Sequence, residues 1–389
     1  VANTLTDLIP TLYQALDVVS REMVGMIPAV SRNSSAERAA LNEQILVPIT
    51  PPATAIDITP AVNSPDNGDQ TFGNRPIVIT KSRGVPIRWN GEQQRGMRNA
   101  GTYDNVLGQQ FEQAIRTLVN EMDADLWAAA YKGASRAYGT AGTTPFGTAG
   151  DMADAAQLRR ILDDNGAPQG DLHLVLGSAA VANLRGKQTI LLKANEAGSD
   201  AFRRTGAIVE IPLDGFMLHN SNAVQAVTKG TGSGYVTSGS TAVGVGDIAL
   251  VTGTGTVLAG DVVTFAVDAN DKYVVNTGVS APGTISIGAP GAEVVIPTAN
   301  AMTIGGNYTP NVGFHRSAVQ FVTRAPATPT DASGRPVDLA EDAIIITDPI
   351  TSLSFEVALY RQYKQVQYQV GAAWGWGVVR SEHIATLIG

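Results

Sequence analysis

Between Ser221 and Gly313 the chain carries sixteen glycines and only seven charged residues. Such a run does not make helix, because each glycine costs about 1 kcal/mol in a helix interior. Its apolar residues come instead in short β-branched groups: IALVTG, VVTFAV, KYVVNT, TISIGA and EVVIPT, separated by Gly, Asn and Pro at nearly regular intervals. Short strands at that spacing predict a small sandwich or barrel. Val263, Phe265, Val274 and Ile285 are its expected core, and DANDK (268–272) reads as a hairpin turn. The flanking segments are mixed α/β, so the chain folds out into a β module and then returns.

The segment 4–24 places Leu8, Leu12, Leu16, Val19 and Met23 at steps of three and four, which gives one apolar helical face. That helix begins near Pro10, since proline is tolerated only in a first turn, and stops at Gly25. From Leu41 to Trp89 the pattern changes to short β-branched runs (ILVPIT, PIVITK, VPIRW) among prolines at 48, 51, 52, 60, 65 and 76. Prolines at that density forbid a central strand and favour an edge-like, two-stranded arm turning around Pro65–Gly68. A lone hairpin is marginal in water, so the arm needs a surface to lie upon. Residues 103–132 carry Leu107, Phe111, Ala114, Leu118, Met122 and Leu126 along one stripe. They predict a rod of about 43 Å, stopped at Gly133. Its carboxylates Glu112, Glu121, Asp123 and Asp125 fall mostly off the stripe, on a solvated or intersubunit face.

An α/β segment follows. MADAAQLRRILDDNG reads as an amphipathic helix capped by Asp151 and ended by Gly166. LHLVLG and AIVEIP read as strands, with a short helix opening at Ser178 between them. HNSNAVQAVTKGTGSGYVTSGS reads as a linker. In the tail, FHRSAVQFVTRAP is helix or strand, and SLSFEVALYRQYKQVQYQVGAAWGWGVV alternates over two strands. Phe355, Val357 and Leu359 share one face there, as do Val366, Tyr368 and Val370.

At 389 residues the chain is long enough for two or three domains. Charged residues are 16% of it, against about a quarter in an average soluble domain. Either part of the surface is hidden against partners, or Gly, Thr and Ser cover it. A net charge of −8 opposes tight binding to phosphate, and the pairs Arg159–Arg160 and Arg203–Arg204 are too short for a nucleic-acid tract. Absence of cysteine removes disulfides, thiolate nucleophiles and zinc–thiolate sites. No apolar run suits a membrane helix. The N-terminal stretch, with Asp7 and Pro10 and no basic leader, does not read as a secretory signal.

Candidate chemistry is sparse. Gly244-Val-Gly246-Asp-Ile-Ala249 matches the dinucleotide string GxGxxA, but β-like flanks on both sides replace the required strand and helix. Gly186-Lys187 is followed by Gln188, so it makes no phosphate loop. Asp268-Ala-Asn270-Asp271 begins like a calcium loop, but Lys272 and Tyr273 occupy the positions of an oxygen ligand and a glycine. His173 and His219 read as core or edge residues, His315 and His383 as surface or interface groups, and no pair has metal-ligand spacing. GxSxG is absent. The sequence assigns no catalytic residue, no cofactor-binding residue and no metal ligand, so the chain reads as a self-assembling structural protein and not an enzyme.

The element order resembles the major capsid proteins of tailed bacteriophages, the HK97-like fold, and within them the coat proteins related to that of phage P-twenty-two. Three stretches carry the resemblance: ILDDNGAPQGDLHLVLGSAAVANLRGKQTILLKANEAG (161–198), GTVLAGDVVTFAV (255–267) and SLSFEVALYRQYKQVQYQVGAAWGWGVVRSEHIATLIG (352–389). The resemblance implies an α+β chain with an N-terminal helical arm (1–44), an extended β-hairpin arm (45–90) and a spine helix with peripheral domain (91–150). An apical α/β domain (151–225), an all-β insertion domain (226–313) and a return that closes the peripheral sheet (314–389) complete it. It further implies assembly as hexamers and pentamers into an icosahedral shell around double-stranded DNA, contacted non-specifically. Scaffolding, portal and decoration proteins would be its partners, the host cytoplasm its place of assembly and the virion its destination, with no membrane involved. Some relatives cross-link their subunits, but no motif marks Lys81 for that chemistry. The alternatives are an encapsulin-like bacterial nanocompartment shell, which shares the fold, and a β-rich surface or adhesive protein.

Overall fold

One helix, Tyr103–Lys132, is the axis of the molecule. It is seen in a computed structural model that describes residues 24–49, 55, 57–58, 60, 73–99, 101, 103–187, 212–333, 337–338, 340–348 and 351–389. All six residues of the expected stripe are buried. So is a second row at steps of four, Ile115, Val119, Asp123, Trp127 and Tyr131, which wraps the packed face round half the helix. Gly133 ends it: a Cβ there would lie 2.6 Å from a Val378 methyl.

On one side lies a seven-stranded sheet whose keel is the long strand Gln365–Val378. One edge of the keel pairs with Gly73–Asn90. Its other edge pairs first with Ser354–Gln362 and then with Val319–Pro326. Ala340–Thr347 flanks the first of these strands and Ser31–Ala39 the second, the latter in parallel. The N-terminal region therefore departs from the expected helical arm. Met26–Ala29 is a single helical turn, and Ser31–Ala39 is a sheet strand, because it completes the open edge of Val319–Pro326. The helix expected over 4–24 lies outside the described residues, apart from Val24.

The hairpin arm is only half free. Gln44–Ile49 pairs with Gly73–Val78, while Ile79–Asn90, expected as arm, belongs to the closing sheet against the keel. Ile77, Ile79, Ile87 and Trp89 explain this, since their alternate side chains are buried. The strand changes partner at residue 79, and Pro76 and Pro86 each pair with a single neighbouring strand, the edge-like setting in which proline is tolerated. The expected turn at Pro65–Gly68 lies outside the described residues.

A twelve-stranded sheet occupies the other side. Its body half runs Phe216–Asn220, Leu172–Leu176, Pro310–His315, Ile384–Ile388, Arg136–Gly139. Helices Ala153–Asp164 and Ser178–Lys187 contribute Leu158, Ile161, Leu162 and Leu184 to its core. The Asp151 carboxylate accepts the Ala153 N–H at the start of the first of these helices, and Gly166 follows its end at φ +72°. AIVEIP lies outside the described residues apart from Pro212.

The β module continues this sheet. Asp268–Thr277 pairs with Arg136–Gly139 and carries Thr284–Ile287, Asp247–Val251 and Val262–Phe265 with it. It has a core of its own, built of residues 235–304 with Val263, Phe265, Tyr273 and Ile285 at the centre. Three expectations fail here. Val274 points to the main core, because it lies beside Tyr273 on an alternating strand. The hairpin turn is Ala266–Val267, two residues before Asp268 opens the next strand. Pro310–Gly313, expected inside the module, belongs to the body strand between Leu172–Leu176 and Ile384–Ile388. The expected linker also begins later than its first residues, since His219 and Asn220 end a strand.

Candidate assembly surfaces

The part of the closing sheet at the root of the arm is seated on the spine helix by charge. Lys81 Nζ lies 2.8 Å from both Glu121 Oε1 and Asp125 Oδ1, and Arg83 adds a 3.2 Å contact to Glu121. The Trp374 indole N–H donates to Asp125 Oδ2 at 3.0 Å. Lys81 also stands 5.9 and 5.8 Å from the Trp374 and Trp376 ring centroids. Partial burial works against its charge, but the hydrogen bonds and charges of Asp125 and Glu121 outweigh it and hold its pKa above the ordinary lysine value. Glu121 and Asp125, expected on a solvated or intersubunit face, therefore anchor the subunit's own closing sheet at the root of the arm. Above this seat Ile77 and Ile79 pack with Ala39 and Val322. The outer face stays bare: Leu46 is 60% exposed and Ile58 99%.

Asp123 is a second departure. It is buried, with Oδ1 accepting the N–H groups of Met26 (2.9 Å) and Ile27 (3.2 Å) and Oδ2 accepting the Ser221 hydroxyl. It thus caps the turn Met26–Ala29 and ties three distant segments together. Burial pushes its pKa up to about 6, against the lowering effect of those hydrogen bonds. A signal was present in the sequence, because Asp123 interrupts the second apolar row of its helix.

The β module is seated by a buried guanidinium. Arg136 Nη2 donates to Asn165 Oδ1 at 2.9 Å in the body and lies 3.4 Å from Glu293 Oε1 in the module. The Val274 N–H donates to Ser135 O, and the Ala289 N–H to Ser381 Oγ. Two glycines permit this approach. A Cβ at Gly260 (φ +96°) would lie 2.5 Å from the Tyr131 ring, and one at Gly288 2.4 Å from Ala134 O.

The sequence's chemical candidates dissolve into structure. His173 Nδ1 meets His219 Nε2 at 2.8 Å, and Arg316 donates to His173 Nε2 at 3.2 Å from Nε, with Asp171 Oδ1 also 3.0 Å from that nitrogen. Burial, reinforced by His173 and Arg316, pushes His219 down to about 4, and the pair is neutral at neutral pH. His383, expected as a surface or interface group, is buried within the subunit, with its ring centroid 6.2 Å from that of the half-buried His315. Gly244 lies in a turn leading into the strand Asp247–Val251, with no helix to receive a phosphate. Asp268 is a strand residue whose carboxylate accepts the Tyr273 hydroxyl. Among the described residues no group of His, Asp and Glu could hold a metal ion, and no helix is long and apolar enough to cross a membrane.

No family model matches the chain, and no curated protein does either. Solved structures are similar to it. The capsid structure of the cyanophage P-SCSP1u is 12% identical over 92% of this chain and 86% of that one, with a TM-score of 0.47. A structure from Mycobacterium phage Che8 is 12% identical, covering 89% and 84%, with a TM-score of 0.44. The virus-like particle from Pyrococcus furiosus is 10% identical, covering 98% and 99%, with a TM-score of 0.43.

Proposed function

We propose that this chain is the major capsid protein of a tailed bacteriophage, a non-enzymatic subunit that assembles as hexamers and pentamers into an icosahedral shell around double-stranded DNA. The observation that carries this reading is the arm. Its root is fixed by Lys81 on Glu121 and Asp125, and its outer strand Gln44–Ile49 holds Leu46 in solvent. A two-stranded ribbon gains little stability alone. Laid over a neighbouring subunit it buries that apolar surface at roughly 25 cal/mol per Å². The spine helix and the sheet behind it supply the stiff body that such a contact needs. The region 151–225 would pack round the local symmetry axis and the β module would contact neighbours. Scaffolding, portal and decoration proteins would join the shell, which is assembled in the host cytoplasm and ends in the virion. A nanocompartment shell is the second reading, and the β module, a large addition to the body, disfavours it.

The test replaces residues 53–72 with a short glycine–serine turn. The variant is expected to give a soluble subunit with unchanged circular dichroism that no longer closes into shells under negative-stain microscopy. Normal shells from the variant would remove the arm from the mechanism.

A further inference from the structure

Most described arginines are committed to a carboxylate of the same chain: Arg38 to Glu356, Arg83 to Glu121, Arg116 to Glu112, Arg159 to Asp163, Arg316 to Asp171. Of the exposed cations that make no ion pair among the described residues, Arg88, Arg95, Arg98 and Lys364 lie together at one end of the closing sheet. The helix Gly91–Asn99 brings Arg95 and Arg98 to one face, three residues apart. Its first N–H donates to Lys364 O at 3.1 Å, which sets the helix against the hairpin turn between Gln362 and Gln365. Between them is a cleft of about 770 Å³ lined by Arg95, Arg361, Lys364 and the amides Gln94, Gln362 and Gln365, with the buried Trp89 and half-buried Val366 beneath them. Arg361 is paired with Glu341, and Glu92 is the one carboxylate in the lining. Arg88 lines the adjoining cleft. A chain of net charge −8 thus gathers four cations without an ion pair at one end of this sheet.

We infer that this face, formed by Gly91–Asn99 and the 361–365 hairpin turn, binds the phosphate backbone of double-stranded DNA and is turned toward the packaged genome. The inference rests on the capsid reading and adds a surface to it. The surroundings select the partner. The helix buries none of its residues, and Met97 is its one apolar side chain. An acidic protein segment would need an apolar seam to dock on, whereas phosphates need only spaced cations and neutral donors such as these amides. Phosphate contacts of this kind carry no sequence information, which suits a container for any genome. Four cations on a subunit bind weakly alone, and their summed effect grows as copies line a shell.

The test is fluorescence anisotropy of a short labelled DNA duplex titrated with the full chain between about 50 and 200 mM salt, with microscopy of the same preparations. Affinity is expected to fall with salt with a log–log slope of about −3 to −4, near −0.9 per cation engaged. In Arg95→Gln/Lys364→Gln the slope should shrink by about 2, while Arg160→Gln, on an unrelated helix, leaves it unchanged. A wild-type chain that fails to bind the duplex at low salt, or a double variant with the wild-type slope, overturns the inference. Equal binding of polyglutamate, lost in the same variant, overturns it in favour of an acidic protein partner. Shells that form normally while DNA binding fails refute this surface alone; a wild-type chain that forms no shells refutes the capsid reading.

Discussion

The β module and the closing sheet are both β structure, yet they are built in opposite ways. The module's core draws only on residues 235–304, so its contacts close within a short span of chain. The closing sheet joins Ser31–Ala39 to Val319–Pro326 and Gly73–Asn90 to Gln365–Val378, strands separated by about three quarters of the sequence. Seven of the thirteen glycines at positive φ lie in the module, between Gly234 and Gly291, where they make its tight turns. The closing sheet is shaped by alternation and by the spine helix beneath it. A locally closed unit can persist when its neighbours fail, whereas a sheet of distant strands forms only when the chain has come together.

Paired core substitutions break this comparison most severely. Leu118 is 1% exposed on the spine helix, and Leu118→Asp should abolish folding of the body, since an unpaired buried carboxylate costs several kcal/mol. Ile285→Asp should destroy only the module, because Ile285 packs inside the module's own cluster. Hydrogen exchange would then show lost protection over 235–304 with the spine helix still protected. Loss of protection everywhere in Ile285→Asp would make the module part of one cooperative core.

Asp123 offers a smaller, pH-dependent probe of the body. Its native pKa of about 6 lies above the unfolded value of 3.8, so the folded chain holds its proton more tightly. The resulting stabilisation is complete below about pH 4 and is lost as pH rises through about 6, a change of about 3 kcal/mol. Urea unfolding of wild type and Asp123→Asn across that window should show the difference in stability falling by about this amount. A difference independent of pH would mean that the carboxylate titrates normally.

The least effect is expected at the joint. Glu293 is about one-third exposed in its pair with Arg136, so Glu293→Gln should cost under about 1 kcal/mol. The strand pairing of Asp268–Thr277 with Arg136–Gly139 carries the junction. A larger loss in urea unfolding would place the ion pair, not the sheet, at the centre of the attachment.

The α+β class, the spine helix with its limits at residues 103 and 132, and a β module with its own core were all legible, because each is written in local periodicity or composition. What was missed depends on partners far away in sequence. Ser31–Ala39 has no strong strand pattern and is a strand because Val319–Pro326 offers an open edge. Asp123 looked like a surface carboxylate because only one of the helix's two buried rows was traced. Ile79–Asn90 looked like free arm because its partner strand lies near the other end of the chain. The unpaired cations beside Gly91–Asn99 were visible as letters, but their lack of carboxylate partners required the fold.

The central claim, that the subunit is built to close a shell through its arm, is tested most directly by negative-stain microscopy of the purified full chain expressed with its genomic neighbours. Closed particles of uniform diameter with hexameric and pentameric clusters are the expected result. A stable monomer that never forms closed particles under these conditions would contradict the account.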